Sequence, residues 1–183
     1  MGLLSEPSDL YDAIVETLRA KMIDGMEFRD YNEFESMLCD QMILIDFEQT
    51  GPGSRGHDGR YGHEYHITIH AVLSASRPRA ALQAMNLSAQ IERAVSDSLW
   101  GLPSQQIDRP ENIRSAPSMF QKGDNGFEAW GVSFTQRIYL GPSLLDDDPL
   151  FEAAMIAINP TDSNDVSQYS EVDSAGINSI LGG

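Results

Sequence analysis

Cysteine is nearly absent: Cys39 is the only one in 183 residues. A single thiol excludes an internal disulfide and any cysteine-cluster metal site, and it points to a reducing compartment. Positive charge is scarce as well. Twelve Lys and Arg stand against 28 Asp and Glu, a formal charge of −16, and the basic residues are scattered from Arg19 to Arg137 without forming a basic face. Such a chain repels phosphate backbones and anionic membranes, which argues against a protein built to grip nucleic acid. Long apolar runs are missing: nothing approaches the ~20 residues that span a bilayer. The opening Met1-Gly2-Leu3-Leu4-Ser5-Glu6 has no basic stretch leading into an apolar run, so it is not a secretory signal. Glu6 stands where N-myristoylation wants Ser or Thr. The expectation is a soluble, intracellular chain.

What is present is a patterned core. Residues 8–22 read as a helix, with Leu10, Ile14 and Leu18 at helical spacing and Ser8 as N-cap. A short strand over residues 26–31 follows. Residues 42–50 alternate, Ile43, Ile45 and Phe47 against Asp46 and Glu48, and residues 61–74 alternate again with Tyr65, Ile67, Ile69, Ala71 and Leu73 on one side. Two such strands around a glycine-rich loop form an extended hairpin.

Residues 79–99 read as a second helix bearing Leu82, Met85, Ile91, Val95 and Leu99, stopped by Gly101, Leu102 and Pro103. A second hairpin pairs residues 112–121 with 127–140 through Asn125-Gly126. On its last strand Trp130, Val132, Phe134, Ile138 and Leu140 share one side. That placement would make Trp130→Ala cost about 3 kcal/mol or more. The pattern predicts an α+β fold, a mainly antiparallel sheet of two hairpins with two helices packed on one face, over residues 1–142. Residues 143–183 contain no Lys or Arg. They read as an acidic C-terminal arm, ordered over 150–158 on a neighbouring subunit and disordered beyond.

Candidate chemistry is thin. Gly51-Pro52-Gly53-Ser54-Arg55-Gly56 matches G-x-G-x-x-G, but the dinucleotide mechanism needs a helix to begin at once, and His57-Asp58-Gly59-Arg60-Tyr61-Gly62 cannot start one. All four histidines lie between His57 and His70. His66 and His70 share a strand face but stand ~13 Å apart along it, too far to chelate one zinc. They read as polar-face residues at a subunit contact, with pH sensitivity as a consequence. No nucleophile elbow or Walker loop is present. No catalytic, metal or cofactor residue is therefore assigned. The interface candidates are Arg55, His57, Arg60, His66, His70, Asp146, Asp147 and Asp148, with the arginines of the loop seeking a negative surface on another copy and the acidic arm as its counterpart.

Several stretches carry a resemblance to a known family: Ala13-Ile14-Val15-Glu16-Thr17-Leu18 in the first helix, the hairpin with its long polar loop, Arg79-Ala80-Ala81-Leu82, Leu99-Trp100-Gly101, and Arg137-Ile138-Tyr139-Leu140-Gly141-Pro142. In layout, residues 9–140 resemble the tail-terminator (tail-completion) proteins of long-tailed bacteriophages, Mu-like contractile ones included. The resemblance implies a virion protein without enzymatic activity, assembled in the host cytoplasm. It would form a hexameric ring on the head-proximal end of the tail tube, stop tube growth and offer the head its attachment surface. The implied partners are other copies of the chain, the tube protein, a head–tail connector or neck protein and, in contractile tails, the sheath; DNA passes through without specific binding, and no membrane is involved. The acidic extension beyond Pro142 is longer than the family pattern. The alternatives are another neck or head–tail joining protein and, in a different class, a small metal-dependent enzyme using the 57–70 region.

Overall fold

The computed structural model describes residues 4–22, 26–34, 40–118, 126–144, 155–156, 161–162, 165, 167 and 169–171. The chain forms two compact units, Met1–Ser143 and Leu144–Gly183.

The first unit is the expected α+β fold. Helix α1 (Pro7–Lys21) buries Leu10, Ile14 and Leu18. Its cap is Glu6 rather than Ser8, because Pro7 supplies the fixed φ suited to the first helical position. Behind it, the Asp9 carboxylate accepts from the backbone N–H groups of Ser5 (2.8 Å) and Glu6 (3.0 Å). Those two bonds, Ser5 first, hold the Asp9 carboxyl below its ordinary pKa.

Five strands follow: β1 (Glu27–Asp30), β2 (Gln41–Pro52), β3 (Tyr61–Ser74), β4 (Glu111–Ser118) and β5 (Phe127–Leu140), in the spatial order β1-β2-β3-β5-β4. All pairings are antiparallel except β1 with β2. The centre is β3 against β5, paired in unbroken register from Tyr61↔Leu140 to Ser74↔Phe127. Alternation places Tyr65, Ile67, Ile69, Ala71 and Leu73 of β3 in one cluster with Val132, Phe134 and Ile138 of β5 and the buried stripes of both helices.

Helix α2 (Ala80–Val95) departs from expectation twice. It ends at Val95, not Leu99. Ser96 Oγ donates to the Glu92 carbonyl (2.9 Å) and Ser98 Oγ accepts from the Trp100 N–H (3.2 Å). Such local bonds compete with helical ones. Asp97, Trp100 and Gly101 then adopt left-handed φ values of 58°, 54° and 72° and turn the chain back. The buried face is also different. Leu82 and Met85, expected inside, are 52% and 40% exposed, and the seam is Ala84, Leu87, Ser88, Ile91, Ala94 and Val95. Small residues let the helix lie close to the sheet, so side-chain size was a poor guide to which face packs.

The opposite sheet face is not wholly open. Met42, Leu44, Val72 and Ala129 form a second buried cluster under Tyr31, Phe34 and Phe127. Tyr31 opens a short 3-10 turn, Tyr31–Glu33, that follows β1. Alternation in β2 pointed only to Ile43, Ile45 and Phe47. It missed Met42 and Leu44 because that end of the strand is covered on both sides.

The Asn125-Gly126 turn falls partly on residues 119–125, outside the described residues, as do residues 23–25 at the end of α1. In the second unit Met155–Ile156 (β6) pairs antiparallel with Ser170–Glu171 (β7). A strand therefore stands at Ser170–Glu171, where the polar composition suggested disorder. Most of the expected arm, residues 150–158, lies outside the described residues.

Candidate functional site

The β2–β3 connection, residues 53–60, carries the loop arginines and is closed upon itself. Gly53 N–H donates to the Gly62 carbonyl (2.8 Å), Gly56 N–H to Arg60 (3.0 Å) and Gly59 N–H to Gly56 (3.0 Å). Arg60 pairs with Asp58 at 2.5 Å, both side chains largely buried, and its Nε donates to the Gly141 carbonyl (3.1 Å). Its guanidinium is therefore engaged within the chain. Arg55 lies over the Tyr61 ring, 3.9 Å from the centroid, and donates to the Gly59 carbonyl (2.8 Å). The glycine-rich loop is thus a hydrogen-bonded platform.

That platform rests on a charged network the sequence did not reveal. β3–β5 pairing sets Glu64 opposite Arg137. Arg137 then donates to Glu64 (3.0 Å) and Asp108 (3.3 Å), and Asp108 accepts from the Tyr139 hydroxyl (2.7 Å). The bond to Glu64 is the first cause of a raised Arg137 pKa. Burial, then Asp108, raises Tyr139. Gly53 and Gly56 lie flat on this pair: a Cβ on Gly53 would meet Arg137 Nε at 3.3 Å, and one on Gly56 would meet Tyr139 Cδ1 at 3.2 Å. Between the platform and Ser104, Gln105 and Asp108 is an open cleft of about 480 Å³. Its lining mixes basic Arg55 and Arg137 with acidic Asp58 and Asp108.

The histidines are not brought together. His57 sits exposed on the platform. His66 is exposed on the open face of the sheet, 3.4 Å from Thr135 Oγ1, beside a shallow groove of about 410 Å³ that includes Glu48, Asn112 and Arg114. His70 lies further along β3, against Tyr31 (ring centroids 5.4 Å) and 2.8 Å from Ser118 Oγ. Gly131 gives that pair its room, since a Cβ there would fall 2.6 Å from Ser118 Oγ. Among the described residues no group of three or more His, Cys, Asp or Glu could hold a metal ion. Asp146, Asp147 and Asp148 lie outside the described residues. Among those residues no helix is long and apolar enough to cross a membrane.

Burial lowers the His70 pKa to about 4, opposed by nearby Glu48. A neutral folded imidazole and an unfolded one near its ordinary value make stability full above the unfolded pKa and lost as pH falls toward the folded one. Between about pH 7 and about pH 5 the loss is about 2 kcal/mol. Urea unfolding at both pH values should show that loss in the wild type and not in His70→Gln. Equal losses in the two proteins would mean His70 is accessible to protons when folded. Within the single chain a pH response of His70 is therefore expected in folding stability, through its burial beside Tyr31.

The fold and this surface define an α+β domain with a closed, hydrogen-bonded polar loop on its sheet. No family model and no curated protein matches the chain. Among solved structures it is similar to the sheath/tube terminator of an extracellular contractile injection system (PVC) in its extended state, with 17% identity and a TM-score of 0.36, over 89% of this chain and 66% of that one. The chain thus spans just under two thirds of the length of that neighbour. A superposition that loose assigns no function.

Proposed function

We propose that this chain is a structural protein of a phage-like tail, forming a ring, hexameric by the family resemblance, on the head-proximal end of the tail tube. There it ends tube growth and presents the surface to which the head or neck attaches. The reading rests on one observation: residues 9–140 resemble the tail-terminator family in the order of their features. The stretches that carry the resemblance also occupy organising positions here, with Ile14, Leu18, Trp100 and Ile138 in the main core and Ala80 opening α2. Charge supports it independently. A ring with −16 on each subunit repels phosphate, so DNA can slide through a channel it does not bind. The tube protein, a neck or connector protein and, in contractile particles, the sheath are the partners this role requires.

Deleting the gene from the particle that encodes it tests the reading. Tubes of abnormal, unregulated length are the expected result. Tubes of normal length without heads would assign the chain to joining, and intact infectious particles would overturn both roles.

A further inference from the structure

The tip of the β2–β3 platform displays a cation on an aromatic ring. Arg55 is exposed, and Tyr61, on which its guanidinium lies, is 62% exposed. Among the described residues Arg55 spends no bond on a carboxylate: its guanidinium lies over Tyr61 and donates to the Gly59 carbonyl. A guanidinium held over a tyrosine ring and bonded to the backbone of a closed loop has less side-chain freedom left to lose on binding. Arg and Tyr are residues that concentrate binding energy at interfaces, and the remaining N–H fork of an arginine matches a carboxylate.

The complement lies in the same sequence. Eight of the 28 acidic residues and none of the 12 basic ones follow Pro142, so residues 143–183 carry −8 and residues 1–142 the other −8. Asp146, Asp147 and Asp148 are consecutive within that cation-free stretch. A contact between two different surfaces of one chain is heterologous, the head-to-tail kind that closes rings.

We propose that the Arg55–Tyr61 tip of one copy docks the acidic run Asp146–Asp148 of a second copy. The inference rests on the ring reading above and names its subunit contact. Tyr61 is exposed in the single chain, which leaves the tip to a neighbour.

Net charge makes the test sharp, because two copies at −16 repel one another as wholes. Replacing the run (Asp146→Lys, Asp147→Lys, Asp148→Lys) in the full chain reduces the net charge to −10. Bulk electrostatics then predicts tighter self-association, and the proposed contact predicts weaker. Measured by sedimentation velocity and native mass, the wild type is expected to form closed oligomers. Arg55→Glu and the triple lysine variant are each expected to associate at least ~10-fold more weakly. The two sets combined should recover to within ~3-fold of wild type. Thermal midpoints verify that every variant is folded. A triple variant that associates as tightly as wild type, or a wild type that stays monomeric at its highest attainable concentration, overturns the contact. A chain that fails here and still regulates tube length leaves the capping role standing.

Discussion

Trp100→Ala should lower the unfolding free energy by about 4–5 kcal/mol, the largest effect of any single substitution considered. Trp100 is 2% exposed and packs on Phe134 with ring centroids 6.0 Å apart. Its indole N–H donates to Gln136 Oε1 at 2.9 Å. Gln136 is fully buried and spends its own amide on the Asp108 carbonyl at 2.7 Å. Alanine therefore opens a cavity and also leaves a buried acceptor without its donor, which costs about 1–3 kcal/mol by itself. Trp100→Phe separates the two contributions, since it keeps most of the packing and should lose chiefly the contribution of the unpaired acceptor, about 1–3 kcal/mol. Urea denaturation measures both. A Trp100→Ala protein within about 1 kcal/mol of wild type would mean the indole does not organise this end of the core. Trp130 is the instructive contrast. It is half-buried, packs at the margin of the main cluster and donates to Ser115 Oγ at 2.8 Å. Its truncation should cost about 1–2 kcal/mol, less than full burial would have required.

Gly62→Ala should have the second-largest effect, confined at first to the platform. A Cβ on Gly62 would overlap the Ser54 carbonyl oxygen and crowd the Gly53 carbonyl carbon at 3.1 Å. Both neighbours are backbone, so no side chain can swing aside. The loop must lift off β3, breaking the Gly53 N–H to Gly62 bond and the seat on Arg137 and Tyr139. A loss of about 2–3 kcal/mol is expected. Faster amide exchange at Gly53, Gly56 and Gly59 should accompany it. Gly51→Ala is the control, because no atom lies within 4 Å of its added Cβ, and it should stay within about 0.5 kcal/mol of wild type. Equal behaviour of the two variants would show that the loop is not seated as described.

Much of the fold was legible because alternation and helical spacing record burial directly. The core faces of β3 and β5 and the Leu10, Ile14, Leu18 stripe needed no tertiary information. What escaped was whatever depends on non-local partners. Nothing local distinguishes Ala84 and Ala94 from Leu82 and Met85 as the packing face of α2. The true seam, Ala84, Leu87, Ser88, Ile91, Ala94 and Val95, is fixed by which side of the helix meets the sheet. The parallel pairing of β1 depends on a crossover that periodicity does not encode.

The platform was legible only in part. Its glycines and arginines were visible, and so was the absence of a helix to serve a dinucleotide. The meeting of Glu64, Asp108, Arg137 and Tyr139 arises from β3–β5 register and from the turn before β4, which bring together residues far apart in the chain. Strand spacing already argued against a shared ligand set among the four histidines, and His63, His66 and His70 lie along β3 with His57 on the loop before it.

The proposed role is tested most directly by adding the purified chain to tube protein as it polymerises and measuring tube lengths by electron microscopy. Short tubes that stop growing, with the added chain confined to one end, are expected. Tubes that lengthen as they do without it, or the chain spread along their sides, would contradict the capping role.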